Sequence, residues 1–246
     1  MQLLALIVFC AFLVEAAAGF GSMVIALTVG ALFFTVDELL LTLVPVNLVL
    51  SIWLAASGAS GIKWKFLLKQ VAPLMGLGLL IGTLLASKAS DAWWLKPIFG
   101  LFTIAAASLS LAERVGVRER PLPSAARSLV LLGAGTIHGI FATGGPLAVF
   151  VTAKELPDKH EFRATLSMLW VAMNAALLTT WAIAGKLTTE PLTKSAWMLL
   201  PLAAGIAVGE LIHRRLDEKK FRLVVAVLLL IAGAVLTIQS LLRGNA

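Results

Sequence analysis

Residues 128–153 read SLVLLGAGTIHGIFATGGPLAVFVTA, and this stretch decides the fold. The 26 positions between Arg127 and Lys154 carry no Asp, Glu, Lys or Arg. One helical crossing of a bilayer core about 30 Å thick takes roughly 20 apolar residues, and two crossings take about 40. The stretch is too short for two crossings, and Gly144-Gly145-Pro146 interrupts it. Two half-length helices that meet at a glycine turn, and leave by the face they entered, fit it best. Residues 3–35, LLALIVFCAFLVEAAAGFGSMVIALTVGALFFT, pose the same problem. As one helix they would run about 50 Å, and Gly19 and Gly21 break them near the middle.

The rest of the chain is equally apolar. Hydrophobic residues make up 60% of the 246, charged residues 13%, and Tyr is absent. A soluble domain carries about 25% charged residues. Uncharged runs also separate Glu38 from Lys63, Lys69 from Lys88, Arg163 from Lys186 and Arg222 from Arg243. In lipid each segment must satisfy its own backbone polar groups, so the class is a bundle of membrane helices. The net charge of +7 does not indicate nucleic acid, because Lys and Arg fall in the short connections where orientation signals belong. Cys10 is the single cysteine, which excludes an intrachain disulfide. The apolar N-terminus resembles a signal peptide, but no basic region precedes it and Glu15 sits near the would-be cleavage site. It reads as part of the mature fold.

Six further apolar segments follow the pattern of helices at 39–59, 66–87, 93–112, 164–184, 195–212 and 222–242. A Pro-containing, mixed-charge connection at 114–127 separates residues 1–113 from 128–246. The halves look alike: VPVNL (44–48) falls on VAMNA (171–175), Pro73 on Pro201, and GLLIG (78–82) on GIAVG (205–209). Slightly out of register, AGFGSMVIAL (18–27) falls on ATGGPLAVF (142–150). If all eight segments spanned, the 20 basic residues would divide ten to ten between the two faces. If 3–35 and 128–153 are re-entrant hairpins, the division becomes 15 to 5, a positive-inside bias. The expected fold is therefore an all-α polytopic membrane protein of two inverted repeats. Each repeat is a re-entrant hairpin plus three transmembrane helices, and both termini face the periplasm or exterior.

Gly-interrupted segments at matching positions of two repeats mark the binding site of a secondary transporter. Here they supply Gly19, Phe20, Gly21 and Ser22 in the first hairpin, and Thr143, Gly144, Gly145 and Pro146 in the second. Helix starts present unsatisfied N–H groups and a positive dipole end, so a small anion can bind without Arg or Lys. Ser22 and Thr143 are the expected N-caps and Pro146 a first-turn proline. The two tips are expected to meet at the midplane. Asn47 and Asn174 are repeat-related; they either bridge helices or line the anion path, with Ser51 one turn from Asn47. Glu15 and His138 are the deepest ionisable residues and candidates for proton coupling, against the alternative that each is held neutral by a backbone partner. The seven Trp read as interface anchors or core.

The two glycine-rich stretches, AAAGFGSM (16–23) and GIFATGGPLAVF (139–150), together with the duplicated four-segment layout, make the chain resemble the TauE/SafE sulfite exporter family, also called 4-toluene sulfonate uptake permeases. The resemblance covers essentially the whole chain. It implies a transporter, with export the favoured direction, of sulfite, a sulfonate or another small organic anion. It also implies the inner membrane as location. Ser22 and Met23 stand where members often continue the glycine run. No cofactor and no metal site is expected. The partners are the anion, the bilayer and a coupling proton or cation, with no nucleic acid; a homo-oligomer is compatible with the sequence. The competing classes are a membrane-embedded enzyme, for which no HExxH or GxSxG is present, and a non-transporting partner subunit.

Overall fold

The computed structural model describes residues 1–18, 21–88, 95–112, 122–156, 158–213 and 218–244, and among these every regular element is helical. The helices are α1 (Gln2–Ala18), α2 (Ser22–Gly30), α3 (Val36–Ser57), α4 (Trp64–Lys88) and α5 (Leu95–Ala112). They continue with α6 (Ser124–Phe141), α7 (Gly145–Glu155), α8 (Lys159–Ile183), α9 (Thr189–His213) and α10 (Glu218–Gly244). Five are long and apolar enough to cross a membrane, on α3, α4, α6, α8 and α9. Several helices run past their apolar segments into polar flanks. Asp158, for example, caps α8 by accepting the Glu161 N–H at 2.9 Å, so the helix begins five residues before Ala164, where its apolar run starts.

Both glycine-interrupted segments are helical hairpins. The short arms α2 and α7 hold 9 and 11 residues, about 14 and 17 Å of helix, well short of a crossing. In the second hairpin the chain folds directly back on itself. A Cβ on Gly133 of α6 would lie 3.9 Å from Leu147 of α7. At the open end, Arg127 Nη1 donates to Glu155 Oε1 at 2.8 Å. The ends of the segment are thus joined by an ion pair.

The chain forms two compact units, each drawing on both halves of the sequence. One comprises Met1–Leu40, Ala89–Arg118 and Trp197–Ala246; the other comprises Leu41–Lys88 and Glu119–Ala196. In the second unit α4 and α6 pack backbone to backbone. Gly78 faces the Leu132 carbonyl, Gly82 the Thr136 carbonyl, Gly135 the Met75 carbonyl and Gly139 the Leu79 carbonyl, each so close that a Cβ would collide. Two four-residue glycine repeats thus face each other, the small-residue contact that brings membrane helices together. In the first unit Gly205 of α9 packs on α1, where a Cβ would stand 2.9 Å from the Phe9 carbonyl oxygen. Gly100 of α5 meets Gly233 and Thr237 of α10 in the same manner.

Candidate functional site

In the second unit the polar residues gather where α7 begins. Asn174 Nδ2 donates to Asn47 Oδ1 at 2.7 Å, with both side chains buried. Of the two roles left open for these amides, bridging α3 to α8 is the one observed. The other end of the Asn174 amide, the buried Oδ1, faces His138. One turn before Asn174, Trp170 stacks on His138, with ring centroids 5.8 Å apart and planes 13° from parallel. The buried His138 ring is directed at the Asn174 side chain, whereas the buried Thr143 hydroxyl lacks a hydrogen-bond partner. Ser51 Oγ is likewise buried and unpartnered. Buried polar groups in folded proteins are nearly always satisfied, so these hydroxyls call for a ligand or ordered water.

The turn itself explains its glycines. Gly144 is the N-cap of α7, and a Cβ there would strike the Ala134 carbonyl and come 3.0 Å from the His138 Cβ. Gly145 has room: its Cβ would touch only Trp170, at 3.9 Å. Neither glycine has positive φ. The left-handed position of the turn is taken by Ala142, φ 53°, which closes α6 by donating its N–H to the His138 carbonyl at 2.7 Å. An L-residue there costs roughly 1–2 kcal/mol. Pro146 lies in the first turn of α7, as its sequence position suggests. Thr143 does not cap the helix, because the chain places Gly144 between it and the first helical residue. Helix geometry leaves the amides of Gly145 and Leu147 without intrahelical acceptors, and a glycine cap offers no side-chain oxygen.

The first unit holds the other hairpin turn, of which Gly19 and Phe20 lie outside the described residues. Gly21, with φ 106°, is the N-cap of α2, a conformation open to glycine and costly for other residues. Ser22 is therefore the first helical residue and not the cap expected of it. Its amide donates to Glu15 Oε2 at 3.1 Å, and its hydroxyl donates to the same oxygen. Glu15 is buried on α1. The start of α2 thus already holds a carboxyl group of the protein itself, whereas the start of α7 holds none among the described side chains.

Sequence reasoning missed Trp170, which it grouped with anchors and core. Its spacing of four from Asn174 puts the two on one face of α8, and that was the available signal.

Among the described residues, five apolar helices of crossing length, joined by short helical arms and loops, define a polytopic membrane protein. Over residues 4–236 the sequence matches the model of the sulfite exporter TauE/SafE family. The chain belongs to that family of membrane transporters. It is also 28% identical over 185 residues to the "Probable inner membrane transporter protein TsaS" of Comamonas testosteroni, an alignment covering 72% of this chain and 73% of the relative. No solved structure matches.

Proposed function

We propose that the protein is a multi-pass inner-membrane secondary transporter that carries a small sulfur oxyanion, such as sulfite or a sulfonate, bound at the start of α7. One observation carries the reading. Thr143 Oγ1 is buried without a partner in the unit where α7 starts, and beside it the buried His138 ring is turned toward Asn174. The Thr143 hydroxyl and the orphan amides of Gly145 and Leu147 are all donors. A compact anion with several acceptor oxygens satisfies them together, and the helix dipole favours its charge. Asn47 holds Asn174 in place, and Trp170 closes the apolar side of the His138 ring. Glycine at 144 keeps the helix start close to α6. The site has no catalytic role to assign, so the reading is transport and not chemistry.

The second hairpin is re-entrant in this reading, and the Arg127–Glu155 pair supports it by keeping both ends of the segment at one level. The 15-to-5 division of basic residues then puts those ends in the cytoplasm and both termini outside. The duplication draws support from two contacts. The repeat-related Asn47 and Asn174 bond to each other, as residues on a pseudo-twofold axis would. The aligned glycines also play matching parts: Gly78 packs on the long arm of the second hairpin and Gly205 on that of the first. Export is the direction favoured by the family description.

The test is flux of sulfite and of a small sulfonate in proteoliposomes, paired with calorimetry on His138→Ala and Thr143→Val. Wild-type flux of at least one anion, with affinity weakened about tenfold in each variant (roughly 1.4 kcal/mol), is the expected result. Normal affinity in both variants would remove the site from the start of α7.

A further inference from the structure

A cavity of about 590 Å³ lies elsewhere in the second unit, and it shares no lining residue with the cluster around Asn174. Its walls include Lys63, Trp64, Lys65, Phe66 and Lys69 from the beginning of α4, and Glu155 from the end of α7. The charges are not equivalent. Lys63 pairs with Glu161, and Glu155 pairs with Arg127. Among the described residues neither Lys65 nor Lys69 has an acidic partner. Two ammonium groups therefore face the solvent-exposed rim with no counter-charge. Beside them Trp64 is 49% exposed, and so is Leu68 at 58%.

The position in the helix matters. Trp64 opens a segment long and apolar enough to cross the bilayer, so the cavity lies at the depth where a membrane's headgroups meet its acyl chains. Indole rings favour that depth. The backbone there is unusual too: Leu67–Val71 form a π turn within α4. Such turns widen a helix by one residue and are common at functional sites. The cavity is far larger than a sulfur oxyanion needs, and its floor is apolar, with Ile62, Phe66 and Leu156. Cationic rim, apolar floor and interfacial depth together match an amphiphile with a phosphate at one end.

We infer that this cavity is a binding site for the headgroup of an anionic phospholipid, whose phosphate is held by Lys65 and Lys69 while its glycerol backbone and first methylenes lie against Trp64 and Phe66. Lysines near the membrane surface are drawn electrostatically to anionic lipid.

The experiment uses full-length protein purified in a neutral detergent. Thermal denaturation is followed after adding phosphatidylglycerol, phosphatidylcholine or inorganic phosphate, and native mass spectrometry counts retained lipid. Phosphatidylglycerol should raise the midpoint and remain bound, while phosphatidylcholine and phosphate should not. Lys65→Ala/Lys69→Ala should abolish the phosphatidylglycerol shift and cut retained lipid at least fivefold. Lys65→Arg/Lys69→Arg should keep both. Both lysines are exposed, so the midpoint without lipid should match wild type in each variant; if the Ala variant unfolds, Lys69→Gln alone gives the same reading at reduced amplitude. Equal shifts with phosphatidylcholine would make the site merely apolar, an equal shift with phosphate would make it a free-anion site, and an unchanged shift in the Ala variant would place the lipid elsewhere. Each of the three overturns the inference.

Discussion

The carboxylate of Glu15 accepts the backbone N–H of Ser22, seven residues further along and across the turn from α1 to α2. A helix start that would otherwise attract a solute anion is satisfied from within. Charge on Glu15 therefore bears directly on whether the start of α2 is closed. Glu15→Gln keeps an acceptor for the Ser22 amide but cannot bind or release a proton. If Glu15 couples transport to protons, this variant should fold, bind anion and lose pH-driven accumulation. Ser22→Ala retains the backbone bond and removes the hydroxyl, a change of about 1 kcal/mol, and should keep coupling. Unaltered pH-driven accumulation in Glu15→Gln proteoliposomes ends the proposal for Glu15. The parallel test for His138 is His138→Ala, scored for coupling as well as affinity.

The adjacent glycines of the second turn should respond differently. Gly144→Ala drives a methyl into the Ala134 carbonyl and should prevent recovery of folded protein or abolish transport. Gly145→Ala finds space beside Trp170 and should fold normally, with anion affinity reduced by no more than a few-fold. Gly21→Ala meets open space but an unfavourable φ of 106°, so it should lose roughly 1–2 kcal/mol of stability. Size-exclusion profiles and thermal midpoints in detergent rank the three. A Gly145 variant more damaged than the Gly144 variant would contradict the geometry of the turn.

The Asn47–Asn174 bond should be measurable as a coupling. Interhelical hydrogen bonds in membrane proteins average about 0.6 kcal/mol in double-mutant cycles, with a maximum near 1.7. Both groups here are buried and the bond is short, so a value toward the upper end, about 1–1.5 kcal/mol, is expected from Asn47→Ala, Asn174→Ala and the double variant. Asn174→Ala should also weaken anion binding, because it removes the side chain that orients the His138 ring. A coupling near zero would mean that the two amides do not depend on each other.

Topology has a direct readout. In Cys10→Ser protein, cysteines introduced at Leu122 and Asp158 flank the Arg127–Glu155 pair. Membrane-impermeant maleimide should label both from the cytoplasmic side of oriented vesicles. Labelling from opposite sides would make 128–153 a crossing and remove the basis for inverted repeats.

Much of this arrangement was readable in the residues. The glycine breaks marked where each segment divides into a longer and a shorter helix, because a glycine-rich turn is where a helix most readily ends. Pro146 and the Asn47–Asn174 relation were legible from local helix rules and the internal alignment. The cap assignments were not. A Ser or Thr beside a glycine looks like a cap in one dimension. Backbone dihedrals decide which residue holds the position, and at Gly21 only glycine fits cheaply. Trp170 escaped because a Trp in an apolar segment has many uses, and its partner His138 lies 32 positions away. The left-handed Ala142 had no signal at all: with two glycines following at 144 and 145, nothing in the sequence says that alanine carries the strain.

The glycine-on-glycine contact of α4 with α6 has a mechanical consequence. Where backbones touch without side chains between them, neither helix can slide or roll by a fraction of a turn, since each carbonyl ridge is seated in the opposing notch. The two helices form a stiff spar, and any rearrangement of this unit must carry α4 and α6 together. Bending within this unit is then left to connections outside the spar, such as the 3₁₀ turn at Ala59–Gly61, while the spar stays a fixed reference.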